Sequence, residues 1–213
     1  MENTIKKIEK EKIIVIARGV AKEKLIPLGI AMYNGGIRLI ECTYDASGFM
    51  SDEEVADGIR MLVDYFGDKM CVGAGTVLTK NQVELTKNAG GKFIISPDMN
   101  PDIIKRTKEL GLVSIPGALT PTEIATANRL GADFVKIFPI GPMGCNYIKD
   151  VKAPLSNVKL LAVGGVDEKN MKSYFNAGAC GIGIGSGIVK KKMIDENDFD
   201  QITAMAKLYT EKL

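Results

Sequence analysis

One lysine in an apolar run carries the sharpest chemical signal in this chain. In Asp133-Phe-Val-Lys-Ile-Phe138 the two-residue period of a strand puts Phe134, Lys136 and Phe138 on one face. Two readings fit that placement. The methylene stem can pack on core while the ammonium snorkels outward, or the amine is desolvated, loses basicity and attacks a carbonyl. The strand alone leaves both open. Glu41 closes the run Ile37-Arg-Leu-Ile-Glu41 and has its own bland counterpart, a surface carboxylate paired with a lysine. If its strand points inward like that of Lys136, the two face one chamber. An amine and a carboxylate are then the minimum set for imine chemistry: the protonated imine draws in electrons, and the carboxylate moves protons as the carbinolamine forms and at the enamine carbon.

Glycine supplies a third clue. Gly164-Gly165 and Gly185-Ser186-Gly187 follow the last two strand candidates, where bare backbone N–H groups of a barrel meet phosphate. Tight turns alone would also explain each of them. The chain has no histidine, so the usual general base, the usual partner of a catalytic serine or cysteine, and the commonest metal ligand are all missing. Zinc hydrolases and metal-dependent aldolases, whose sites lean on imidazole, are poor candidates, and we expect no cofactor and no catalytic metal. Cys42, Cys71, Cys145 and Cys180 form no CxxC pair and read as reduced thiols.

These groups need a scaffold that brings distant strand ends together. Strand candidates recur at 13–17, 37–41, 70–74, 92–96, 112–115, 133–138, 158–163 and 180–185, mostly apolar on both faces as buried parallel strands are. Helical segments fall between them at 21–34, 51–66, 79–89, 100–110, 120–130, 145–152, 167–177 and 196–212, with an extra N-terminal helix over 2–12 to close the barrel floor. Thr79, Asn100, Thr120 and Asp167 are placed to cap helices, and Pro101 and Pro121 sit at first helical positions. Gly35, Gly90, Gly111, Gly131 and Gly178 stand as C-terminal stops. An open dinucleotide-binding sheet should show GxGxxG after its first strand, but Arg18-Gly19-Val20 stands there. The expected architecture is therefore an α/β fold, a (β/α)8 TIM barrel with an extra N-terminal helix, as one domain over residues 1–213. Its strand ends carry Arg18, Glu41 with Thr43, Thr76, Ser96-Pro97, Pro116-Gly117, Lys136 with Phe138, Gly164-Gly165 and Gly185-Ser186. Lys190-Lys191-Lys192 reads as a solvated helix face.

With the strand ends assembled, the chain resembles the class I aldolases of the 2-keto-3-deoxy-6-phosphogluconate (KDPG) and 4-hydroxy-2-oxoglutarate (KHG) group. The resemblance runs from about Ile13 to the C-terminus, on Gly35-Gly36-Ile37 to Glu41, Gly73-Ala74-Gly75-Thr76-Val77, Ser96-Pro97, Ile115-Pro116-Gly117, Lys136-Ile137-Phe138-Pro139, Gly164-Gly165-Val166 and Gly185-Ser186. It implies that Lys136 forms the imine with pyruvate or the keto acid and that Glu41 shuttles protons. It also implies that Thr76, Pro97 and Phe138 shape a pyruvyl pocket, that Gly164, Gly165, Gly185 and Ser186 hold phosphate, and that the protein is a homotrimer. Two positions depart from the family pattern. Asp45 stands where many relatives place a carboxylate-binding arginine, which leaves Arg18 as its replacement. Val163 stands where gluconate-type relatives carry threonine, as in relatives that cleave the galactonate epimer (KDPGal). Both epimers stay open as substrates.

The expected activity is cleavage of the phosphorylated keto acid to pyruvate and glyceraldehyde 3-phosphate, with cleavage of 4-hydroxy-2-oxoglutarate to pyruvate and glyoxylate as a close variant. A phosphosugar isomerase or epimerase using Glu41 as base, and a metabolite sensor that keeps the barrel and its loops, are the competing readings. With 28 basic and 26 acidic side chains the charge is nearly balanced, which gives no reason to expect nucleic acid or an acidic membrane as partner. The polar N-terminus and the absence of a long apolar run point to the cytoplasm.

Overall fold

The computed structural model describes all residues, Met1–Leu213. Helix α1 (Glu2–Glu11) precedes a regular alternation: β1 (Ile13–Ala17), α2 (Lys22–Asn34), β2 (Leu39–Thr43), α3 (Asp52–Phe66), β3 (Cys71–Gly75), α4 (Lys80–Asn88) and β4 (Phe93–Ile95). It continues through α5 (Pro101–Glu109), β5 (Val113–Ile115), β6 (Gly117–Ala118), α6 (Pro121–Arg129), β7 (Val135–Ile137), α7 (Gly144–Lys152), β8 (Leu160–Val163), α8 (Met171–Asn176) and β9 (Gly181–Ile184). Helices α9 (Lys191–Asp195) and α10 (Phe199–Thr210) end the chain.

The nine strands form one parallel sheet in the order β5-β4-β3-β2-β1-β9-β8-β7-β6. Its two edges, β5 and β6, are halves of one barrel strand interrupted at Pro116, which has no N–H to donate. The seam closes there: Phe134 N–H donates to Ser114 O at 3.2 Å and Lys136 N–H to Pro116 O at 2.9 Å. Eight barrel strands result, as the α/β periodicity predicts.

Strand parity sorts the core in two. Fifty buried residues pack between the sheet and the helices, and eleven fill the barrel itself. The interior set includes Ile14, Leu39, Phe93, Ile95, Val113, Ile115, Phe134, Leu161 and Val163, together with Ile8 of α1. Ile8 is fully buried, so α1 plugs the N-terminal end of the barrel, and burial of a side chain this size stabilises by about 2–3 kcal/mol. Polar side chains enter the interior only toward the opposite, C-terminal end. Glu41 sits in register between Ile16 of β1 and Gly73 of β3, and Lys136 between Gly117 and Leu161.

The caps behave as the local sequence dictates. Thr79 and Thr120 form capping boxes with Gln82 and Glu123, and Asn100 caps the Asp102 N–H. Of the boundaries that differ from the sequence expectation, three show a local cause. Strand β2 starts at Leu39 rather than 37, because Arg38 stacks on Tyr33 at 4.0 Å and binds the Tyr33 and Ile37 carbonyls, which ties those residues to the end of α2. The helix expected over 167–177 begins at Met171, since the Asp167 carboxylate instead closes a turn over the Lys169 and Asn170 N–H groups. The last helix starts at Phe199 rather than 196, because Asn197 adopts a φ of 57° and Asp198 caps the chain on Gln201 N–H, and the short α9 precedes it.

Candidate active site

A cavity of about 780 Å³ opens at the C-terminal end of the barrel. The eleven residues given site roles from sequence line it: Arg18, Glu41, Thr76, Pro97, Lys136, Phe138, Val163, Gly164, Gly165, Gly185 and Ser186; the strand-end candidates Thr43, Ser96, Pro116 and Gly117 do not. They come from seven different strand ends, so the closure of the barrel is what brings them together.

Lys136 is 7% exposed and Glu41 2%. The snorkelling reading of Lys136 therefore fails, because its amine stays in the chamber, 4.5 Å from the centroid of the Phe138 ring. Burial lowers the Lys136 pKa, the Glu41 charge opposes that fall, and the Arg18 charge adds to it. Burial raises Glu41 to about 7 against the counter-pull of Lys136, Arg18 and a hydrogen bond from Thr43. The Thr43 hydroxyl donates to Glu41 Oε1 at a long 3.5 Å, while Oε2 is buried with no partner. An acceptor left open in this way faces a chamber where a substrate hydroxyl or water can bond it. The sequence expectation put Glu41 at its strand end; with β2 running to Thr43 it lies one inward-facing residue deeper.

Glycine makes the room. Inward-facing Gly75 on the neighbouring strand is what lets the Glu41 carboxyl lie across the barrel, since a β-carbon there would overlap both carboxylate oxygens. Gly164 and Gly165 hold φ of 86° and 85°, and β-carbons on them would press on the Phe138 ring and on Gly141 respectively. The N–H groups of Gly164, Gly165, Ser186 and Gly187 donate to no backbone oxygen, so two adjacent loops present four unused donors. This is the arrangement that accepts an anion.

Arg18 Nη2 donates to Thr76 Oγ1 at 3.0 Å. Thr76 holds a φ of 53°, a left-handed conformation that a β-branched residue adopts only at a cost of about 1–3 kcal/mol. The strain sets the hydroxyl against the guanidinium. Asp45 is absent from this cavity: its carboxylate takes the Ser47 N–H at 2.9 Å, the Ser47 hydroxyl at 2.6 Å and the Met50 N–H at 3.1 Å, building the loop after β2. These bonds hold its carboxyl below the usual range, and Arg18 is left as the one guanidinium in the chamber. The cavity wall also contains residues that the sequence did not single out for the site, among them Ile16, Val166, Asp167 and Lys191. Lys191 keeps the solvated helix face expected of it, with its side chain 88% exposed, while α9 starts at the cavity rim. No three His, Cys, Asp or Glu side chains converge as a metal-binding group.

The KDPG and KHG aldolase family model matches residues 4–205. The chain is 33% identical over 200 residues to the 2-dehydro-3-deoxy-6-phosphogalactonate aldolase of Escherichia coli strain K12, covering 93% of this chain and 95% of that one. It is 31% identical to the 2-dehydro-3-deoxy-phosphogluconate aldolase of Haemophilus influenzae, with coverage of 97% and 94%. A solved structure described as native KDPGal superimposes with a TM-score of 0.85 at 31% identity, over 94% of this chain and 93% of that one. The KDPG aldolase from Legionella pneumophila, with pyruvate captured as a covalent carbinolamine, superimposes with a TM-score of 0.83 at 26% identity, over 92% and 93%. A buried amine facing a carboxylate, on a barrel that matches these enzymes along nearly its whole length, leads to one assignment: the chain belongs to the KDPG and KHG aldolase family of carbon–carbon lyases.

Proposed function

We propose that the protein cleaves a 2-keto-3-deoxy-6-phospho sugar acid, the gluconate form or its galactonate epimer, to pyruvate and glyceraldehyde 3-phosphate, with Lys136 as nucleophile and Glu41 as proton carrier. The observation that carries this reading is the shared burial of the two groups on facing strands, beneath loops with free N–H donors. Lys136 Nζ, neutral in the fraction that its lowered pKa allows, adds to the C2 carbonyl carbon. Loss of water from the carbinolamine, with protons carried by Glu41, leaves a protonated imine. Glu41 then takes the C4 hydroxyl proton, the C3–C4 bond breaks into the imine, and the aldehyde departs. The enamine at C3 receives the proton back from Glu41, and water frees pyruvate and the lysine. Arg18, set by Thr76, holds the C1 carboxylate; Pro97 and Phe138 wall the pyruvyl group; Gly164, Gly165, Gly185 and Ser186 receive the phosphate.

Cleavage of 4-hydroxy-2-oxoglutarate uses the same steps without the phosphate contacts. One barrel domain carries the reaction, which we place in the cytoplasm; no helix is long and apolar enough to cross a membrane. A homotrimer is the assembly we expect, measured as a particle of three chain masses in sedimentation equilibrium. The direct test of the nucleophile is Lys136→Ala. Turnover should fall at least about a thousandfold with the thermal transition retained, and a variant with wild-type kcat would remove Lys136 from the mechanism.

A further inference from the structure

We propose that Lys191 binds the phosphate of the substrate and thereby sets the preference for phosphorylated over unphosphorylated keto acids. The inference rests on the substrate reading above and adds a side chain to it. Five charged residues line the cavity: Arg18, Glu41, Lys136, Asp167 and Lys191. Arg18 is tied to Thr76 among the residues assigned to the C1 carboxylate, and Lys136 is consumed in the imine. At the glycine-loop end this leaves Asp167, whose carboxylate is negative like the phosphate itself, and Lys191. A phosphate monoester carries roughly −1.5 to −2 charges at neutral pH. The loops offer it neutral N–H groups, a cation beside them would offset both the phosphate and Asp167, and Lys191 is the cavity-lining cation with no other assignment.

The geometry favours the exchange. Ile188 and Val189 N–H both donate to Gly185 O, at 3.0 and 2.9 Å, a tight turn that starts α9 directly from the loop and puts Lys191 on the cavity wall. Its Nζ rests on Asp195 at 2.9 Å, one helical turn along, with side-chain exposures of 88% and 58%. An exposed pair of this kind is weak, so Lys191 leaves it readily for a more highly charged partner.

The test compares KM for the phosphorylated keto acid and for 4-hydroxy-2-oxoglutarate. Lys191→Ala should raise the first by about five- to tenfold. It should leave kcat and the KM for 4-hydroxy-2-oxoglutarate unchanged, Lys191→Arg should restore wild-type behaviour, and Lys191→Glu should be worse than Lys191→Ala. Because the side chain is exposed, none of these changes threatens the fold. A wild-type preference for the phosphorylated acid that survives Lys191→Ala overturns the role of Lys191 alone. A wild-type enzyme that gains nothing from the phosphate overturns the substrate reading, and this role with it.

Discussion

Glu41 is held in a state that favours chemistry over stability. Burial is the main cause that pushes its pKa up from the ordinary 4.5 to about 7 in the folded protein. A raised pKa means that the folded state binds the proton more tightly than the unfolded one, so the associated stability is present below pH 4.5 and lost as pH rises through 7. Glu41→Gln should therefore be more stable than wild type at pH 8, by on the order of 2–3 kcal/mol, and the gap should close by pH 4–5. Urea denaturation at the two pH values measures it; an equal offset at both would mean that burial of the charge is not what matters. Activity runs the other way. Glu41 must be ionised to take the C4 hydroxyl proton, so kcat/KM for cleavage should rise through pH 7, and Glu41→Gln should lose that limb along with most of the rate. Val163 acts on a different property. It is 6% exposed, lines the chamber and offers no hydrogen bond at the position where the family resemblance implies a threonine hydroxyl for gluconate cleavage. Val163→Thr should shift the ratio of kcat/KM toward the gluconate epimer by about tenfold, the value of one hydrogen bond realised for only one configuration. An unchanged ratio would place epimer choice elsewhere in the wall.

At the scale of elements, the N-terminal helix precedes the βα repeat, and Ile8 is its one buried side chain. Ile8 reaches into the interior among Ile14, Phe93 and Phe134, so Ile8→Ala should cost about 2–4 kcal/mol while leaving kcat unchanged, because the catalytic end lies at the far side of that core. A thermal scan with a parallel assay separates the two; loss of kcat in a still-folded variant would show that the floor is coupled to the site. Most elements were legible in the sequence because their signals are local. Capping residues at Thr79, Asn100 and Thr120 marked helix starts, and the apolar runs marked strands. The misplacements share a cause, which is that side chains outside the periodic pattern decide the boundary. Arg38 stacks on Tyr33 and delays β2, Asp167 spends its cap on a turn, and Asn197 takes a left-handed conformation that delays the last helix.

At the scale of the whole molecule, the site is a product of closure. Glu41 and Lys136 are far apart in sequence and reach one chamber because the sheet runs unbroken from β2 through β1, β9 and β8 to β7. The eleven residues given site roles from sequence line that chamber, since strand parity and strand ends are readable from residue order. Lys191, Asp167 and the space that Gly75 makes for Glu41 were not readable, because each depends on how a loop folds back or how close two strands approach. The central claim is that this chamber does covalent imine chemistry. The measurement that tests it most directly is mass spectrometry of the protein after incubation with pyruvate and borohydride. The account predicts one reduced pyruvyl adduct per chain, mapped to the peptide containing Lys136 and absent from Lys136→Ala. Pyruvate that binds without any adduct, or an adduct on another lysine that survives Lys136→Ala, would contradict it.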